Sequence, residues 1–288
     1  MQHIEFFDTE HFEKNYHRTQ PASNLSHFID FYWETRFDQL WDANPQGFSD
    51  ILFPNIGYTY LINLGSPFTM EVNNQKTQMK SDGFLPRHVA LECYHQVGNH
   101  LFGIKFRISP IIFQKKINFS EYKSSIFPLS YLIEKQVIEQ IKNASDFDER
   151  KSILDQYYTG IISQFEGSLK PIDIVSEIIE TCNRNNHFTV SIEDLSAQYQ
   201  LSSRSLQRYF EAATSLSSKK TLQILRIRKA VAQLVNDPAN FDYTAFGYYD
   251  YSHFYKHIRS FLQKNSQQAL QSHLELLSRL HQSKKKKN

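Results

Sequence analysis

The sequence predicts an α+β chain in which a strand-rich N-terminal part precedes an all-helical C-terminal part. Three observations carry this expectation. Between residues 25 and about 128 apolar side chains alternate with a period of two, the pattern of antiparallel strands with one buried face. Beyond residue 129 they recur at spacings of three and four, the pattern of amphipathic helices. Charge is also divided between the two parts: residues 189–288 hold 15 Lys/Arg against 7 Asp/Glu, a net of +8, and the remainder nets −6. Such asymmetry points to a polyanion-binding module attached to something else.

The chain can bury a core. Leu, Ile, Val and Phe make up 81 of 288 residues, clear of the roughly 20% below which chains stay disordered. With 23 Phe and 16 Tyr, much of that core must be aromatic. No apolar run reaches the ~18 residues of a membrane helix. Residues 1–8, MQHIEFFD, carry acid where a secretory signal needs a basic start. Cys93 and Cys182 form no CxxC pair, so neither a disulfide framework nor a cysteine zinc site is expected. A cytoplasmic location without membrane contact is the resulting expectation.

In residues 1–128 the strands are read from three runs. Tyr58, Tyr60, Ile62 and Leu64 alternate with Thr59, Leu61 and Asn63. Phe68, Met70 and Val72 lead into a turn at Asn73-Asn74. Phe102, Ile104, Phe106 and Ile108 alternate with Gly103, Lys105 and Arg107. Short strands at this spacing predict a small barrel or sandwich. Residues 129–169 then hold two amphipathic helices, one through Leu132, Ile133, Val137, Ile138 and Ile141, the other from Ile153 to Phe165. They either pack on the barrel or form a dimer interface. Gly167–Pro171 is a linker by composition. A helical unit over residues 170–275 follows, then a basic tail at 276–288 ending in Lys284–Lys287.

The helical unit carries the candidate chemistry. Ser191-Ile192-Glu193-Asp194 is a capping box opening a short helix. After a break at Gln200-Leu201, Ser202 can cap a second helix. On it Leu206, Tyr209 and Phe210 form an inward stripe, while Arg204, Gln207 and Arg208 share the opposite face. Two helices across a tight turn, the second displaying Arg/Gln/Arg, are how a helix-turn-helix meets the major groove. Arg pairs bidentately with guanine and Gln with adenine, so these residue types suit base reading, although the same spacing also makes a solvated polar face. A longer helix from about Ser218 to Val235 has its seam at Ile224, Ile227, Val231 and Leu234, with Arg226, Arg228 and Lys229 outside it. Asp250 caps a last helix with Phe254, Ile258 and Phe261 inward.

These segments resemble the AraC-type bacterial transcription regulators over roughly residues 170–270. The most specific match is Gly247-Tyr248-Tyr249-Asp250-Tyr251-Ser252-His253-Phe254, similar to the family's G-[FY]-x-[DS]-x-S-H-F element. Residues 201–210, LSSRSLQRYF, resemble its first recognition helix, and residues 225–230, LRIRKA, the core of its linker helix. The resemblance implies a double helix-turn-helix in which Ser203, Arg204, Gln207 and Arg208 contact DNA from the first unit and Tyr251, Ser252, Tyr255 and Lys256 from the second. His253 matches a position that is usually structural. There are departures: Gln200 stands where many members have Gly, Ser196 replaces a small Ala, and Phe241–Phe246 is about two residues short for a supporting helix. The second recognition helix is therefore expected to be poorly braced. The N-terminal part resembles cupin-like sensor domains more loosely, through Tyr32-Trp33-Glu34, residues 84–87 (FLPR) and residues 102–107 (FGIKFR).

A cupin-like barrel with a catalytic metal needs clustered ligands. His95 and His100 could face each other across a hairpin, with His88 nearby and Glu92 the only acid at hand, which is too little to assign a metal. Cys93 reads as a small core residue. Walker, GxGxxG, GxSxG and HExxH patterns are all missing from the sequence. The expected function is a sequence-specific DNA-binding transcription regulator, without catalysis or cofactor, answering to an unknown small-molecule effector. Double-stranded DNA is the expected partner, a homodimer stays open, and the resemblance implies RNA polymerase. Two alternatives remain: a cupin-type metalloenzyme with a nucleic-acid-binding appendage, and an architectural DNA binder that ignores small molecules.

Overall fold

The structure, a computed structural model, describes residues 1–113 and 126–261; the basic tail at 276–288 lies outside the described residues. Eleven strands are described: β1 (Gln2–Ile4), β2 (His17–Thr19), β3 (Ile29–Thr35), β4 (Phe48–Leu52), β5 (Tyr58–Asn63), β6 (Phe68–Val72), β7 (Gln75–Met79), β8 (Gly83–Pro86), β9 (Leu91–His95), β10 (Leu101–Phe106) and β11 (Phe127–Pro128). They form two sheets, ordered β1-β4-β9-β6-β7 and β11-β8-β5-β10-β3-β2. β1 joins β4 in parallel, and the other described pairs are antiparallel. The arrangement is barrel-like without closing: the two sheets share no ladder.

Alternation places the strands correctly but misjudges their exposure. β5 and β10 are buried on both faces. One face of the six-stranded sheet sends Trp33, Leu61, Leu85 and Leu101 against Phe68, Met70 and Cys93 of the other sheet. Its opposite face sends Tyr32, Tyr60, Phe102 and Phe106 against two helices, α2 (Lys135–Asn143) and α3 (Phe147–Ser163). The result is three layers: sheet, sheet, helices. Gly103 permits the inner packing, since a Cβ there would stand 2.2 Å from the Trp33 ring. Asn73 and Asn74 both adopt positive φ, as a tight turn between β6 and β7 requires.

The two helices settle largely onto the sheet. Ile138, Ile141, Leu154 and Tyr158 are buried in that layer. Asp155 accepts hydrogen bonds from the Tyr32 hydroxyl (2.9 Å) and the Ala22 amide (3.2 Å), and Arg150 pairs with Glu34 at 3.2 Å. Ile138 is thus a core residue and not an interface residue; Val137, Ile153, Tyr157 and Ile161 stay partly exposed.

Three N-terminal elements go beyond the expected strands: β1, the short helix α1 (Thr9–Lys14) and β2. The C-terminal unit comprises α4 (Lys170–Asn185), α5 (Ile192–Gln198), α6 (Ser203–Thr214), α7 (Ser218–Asn236), one 3₁₀ turn (Tyr243–Phe246) and α8 (Tyr251–Phe261). Pro171 sits in the first turn of α4, where its missing N–H costs nothing. The seam of α7 is buried as its spacing implies, with Ile224, Ile227 and Val231 fully covered. No described helix is long and apolar enough to cross a membrane.

Candidate nucleic-acid interface and effector cavity

The first helix-turn-helix is built by its caps and one strained residue. Ser191 accepts the Asp194 amide at 3.0 Å and starts α5; Ser202 accepts the Ser205 amide at 3.1 Å and starts α6. Between them Gln200 takes φ of +53°, the left-handed conformation that favours glycine. The turn therefore forms without Gly, at a cost of order 1 kcal/mol.

The four residues expected to touch DNA on α6 divide into two pairs. Arg204 and Arg208 are exposed on one face. Ser203 turns inward, its Oγ 3.1 Å from Ser196 Oγ across the turn. Gln207 is engaged as well: its Oε1 accepts from Ser218 Oγ at 3.1 Å, and its Nε2 donates to Glu211 at 3.1 Å. Ser196 in place of Ala thus acquires a partner, and Gln207 ties α6 to the start of α7.

The second unit departs from expectation in how it is held. Its supporting element is a single 3₁₀ turn, as short as the sequence suggests. Yet Arg226 of α7, 8% exposed, replaces the missing support. Its Nε donates to the Phe246 carbonyl at 2.7 Å, and its guanidinium lies 3.6 Å from the centre of the Tyr248 ring. Burial and the nearby Arg226 push His257 down to about 4. The neutral ring shares a hydrogen bond with the Tyr248 hydroxyl through Nδ1, at 2.6 Å. Gly247 makes the turn at φ +75°, and Asp250 accepts the His253 amide at 2.6 Å to cap α8. On α8, Ser252 and Lys256 are exposed, while Tyr251 and Tyr255 are half-buried and stacked on each other. His253 is exposed beside Tyr248, with ring centroids 5.3 Å apart.

α7 also reaches the N-terminal unit. Arg228 pairs with Glu5 at 2.8 Å, donates to the Pro54 carbonyl at 3.1 Å and covers the Phe6 ring. The Ser109 amide donates to the Ala213 carbonyl at 2.6 Å, joining the same two units at the end of α6.

Arg228 and Glu5 also line a cavity of about 220 Å³ between the sheets. This exceeds the ~150 Å³ apolar cavity that admits benzene. Its walls include Trp33, Leu61, Met70 and Leu101. At its polar side Lys105 donates to the Ile56 and Phe106 carbonyls at 2.6 and 2.8 Å, and Arg87 donates to the Phe53 carbonyl at 3.1 Å. Burial, reinforced by Arg87, lowers the Lys105 ammonium to about 7.

The histidines singled out by sequence do not assemble. β9 and β10 belong to different sheets, so residues 95–100 form no paired hairpin. His100 pairs with Glu34 at 2.8 Å, whereas His95 faces Asp50 at 3.2 Å. Asp50, His3 and His11, which stand beside it, gave no sequence signal.

Fold and site together define a two-part chain: a β-sheet unit enclosing a cavity, then two helix-turn-helix units on either side of one long helix. No known protein family matches the chain, and no curated protein matches it. Among solved structures it is similar to ToxT from Vibrio cholerae, at 10% identity and a TM-score of 0.42 over 86% of this chain and 95% of that one. ToxT of strain SCE256 with bound unsaturated fatty acid scores 0.41 at 10% identity, over 73% and 85%. The AraC-like transcriptional activator CuxR scores 0.28 at 10% identity, over 78% and 89%. Likenesses of this degree leave the function to be argued from the residues themselves.

Proposed function

We propose that this chain is a sequence-specific DNA-binding transcription regulator controlled by a small molecule in its N-terminal unit. One observation supports this reading most directly: Arg228 of α7, the helix between the two helix-turn-helix units, is also a wall of the cavity. A ligand there touches the element that sets the spacing of α6 and α8. The cavity suits a small molecule with an apolar body and an anionic or acceptor-rich end, which Lys105, Arg87 and Arg228 would face. Arg204 and Arg208 read bases; Lys256, Ser252, Tyr251 and Tyr255 hold phosphate and sugar. Ser203 and Gln207 position α6 and read no base in the arrangement described.

The division of the chain falls in the connection between Ser163 and Lys170. The protein acts in the cytoplasm, with double-stranded DNA as partner and no catalytic step. RNA polymerase contact and a homodimer belong to the reading through the family resemblance, the dimer using the partly exposed edge of α2 and α3. Selection of binding sites from random DNA at fixed salt tests it. A defined motif is expected; uniform binding to all sequences overturns it in favour of an architectural role.

A further inference from the structure

The segment before β2 brings two imidazoles, and β9 a third, around one carboxylate. Asp50 lies on β4, fully buried. His3 Nδ1 and His11 Nε2 stand 3.2 and 3.0 Å from its Oδ1, and His95 Nε2 stands 3.2 Å from its Oδ2. The donor atoms of His3, His11 and Asp50 all lie within 4.8 Å of one another. Bonds of 2.0–2.2 Å to a tetrahedral ion place neighbouring donors about 3.3 Å apart. The contacts on Oδ1 match such edges.

Ordinary hydrogen bonding accounts for only part of the cluster: the Tyr16 hydroxyl donates to Asp50 Oδ2 at 2.5 Å and His3 Nδ1 bonds Oδ1, but the ring nitrogens of His11 and His95 that face the carboxylate are not covered by it. The Asn99 amide nitrogen donates to the Ser66 carbonyl, which turns its Oδ1 toward His95 Nδ1 at 2.6 Å. That ring nitrogen must then carry the hydrogen, as metal-site histidines do toward their outer partners. In the neutral ring Nε2 is left as an acceptor facing a carboxylate oxygen. His11 Nε2 and His95 Nε2 are both buried and off any hydrogen-bond direction. The surroundings are aromatic: Phe37 lies 4.5 Å from the His95 ring, and Phe48 lies within 5.7 Å of the His3, His11 and His95 rings, all as centroid distances. A carboxylate with several imidazoles in such a box is costly unless a cation or a full set of donors compensates it.

We propose that His3, His11 and Asp50 bind a divalent transition metal of the imidazole-preferring class, Zn²⁺ being the representative ion. The donor set, two nitrogens and one oxygen, favours zinc, nickel or copper over calcium or magnesium. His3, His11 and Asp50 are all buried, at 8%, 9% and 0% exposure. The site joins β1 and α1 to β4. Glu5, two residues beyond His3, holds Arg228, so the ion steadies the segment on which α7 rests.

The test uses the full chain, stripped with a chelator and then given Zn²⁺ alone. After desalting, about one zinc per chain is expected, and X-ray absorption should show a nitrogen/oxygen shell with imidazole scattering. Zinc should raise the melting temperature of the wild type. The double substitution His3→Gln with His11→Gln should lose the bound zinc and the thermal shift. Zinc well below one per chain, a shell containing sulfur, or full retention in the double variant each overturns the proposal. Should the double variant not fold, the absorption spectrum of the wild type still decides between imidazole and other ligands.

Discussion

Replacing Arg226 with Ala should open the second helix-turn-helix while leaving the first intact. The guanidinium supplies two interactions that nothing else in the unit replaces. A charge-assisted hydrogen bond to the buried Phe246 carbonyl contributes about 1.5–3 kcal/mol. Stacking on Tyr248 adds about 1–2 kcal/mol where it is desolvated, as here at 8% exposure. Water entering the space would offset part of this, leaving a loss of about 3 kcal/mol. That corresponds to about a hundredfold rise in local opening. Hydrogen exchange read by mass spectrometry should show faster exchange for peptides over 243–261 and unchanged rates over 191–214. Arg226→Lys, which keeps the charge without the planar stack, should fall between. Unchanged protection at 243–261 would refute the brace. Equal loss in both units would show that Arg226 stabilises α7 as a whole.

Arg204→Ala and Arg208→Ala should each relax preference at one base position by about 1–3 kcal/mol, whereas Lys256→Ala should weaken all sequences alike and lower the salt slope by about one, as selected-site and salt-titration experiments would show. Gln207→Ala should lower thermal stability by about 1 kcal/mol without changing the selected motif, because its amide serves Ser218 and Glu211. Lys105 sits at about 7 in the folded chain against 10.5 when free, so the folded state resists protonation. The unfolded chain binds the extra proton between these values, and stability should rise with pH across that window; Lys105→Met should flatten this rise in urea melts. Glu5→Gln should weaken the docking of α7 on the N-terminal unit by about 2 kcal/mol, between exposed and buried ion-pair values, and calorimetry should then resolve two transitions.

Local pattern made the helical unit legible. The caps at Ser191, Ser202 and Asp250 and the seam of α7 follow from residues within one or two turns of each other. Gln207 shows where such reading stops. Its spacing puts it on the face of Arg204 and Arg208, but spacing says nothing of Ser218, which the next helix brings within reach. Arg226 is similar: outside the apolar seam by count, it is buried because the shortened turn at 243–246 leaves room for it. In the N-terminal unit, alternation found β5, β6 and β10 but could not show that helices cover the second face of β5 and β10. β1 and α1, three and six residues long, are too short to show any period. The Asp50 cluster joins residues 47 positions apart, a distance over which no sequence pattern speaks.

The Glu5–Arg228 contact spans 223 positions. During synthesis the first strand leaves the ribosome long before its partner in α7 exists. β4, the neighbour that β1 pairs with, appears after about forty residues, so the N-terminal unit can close early around its own sheets. Glu5 must then wait, water-exposed, until nearly four-fifths of the chain has emerged. Docking of the two halves therefore cannot begin until α7 has emerged, and a ribosome stalled before residue 228 would hold a first unit with its acidic latch unfilled. Such nascent chains offer a direct way to observe the N-terminal unit on its own.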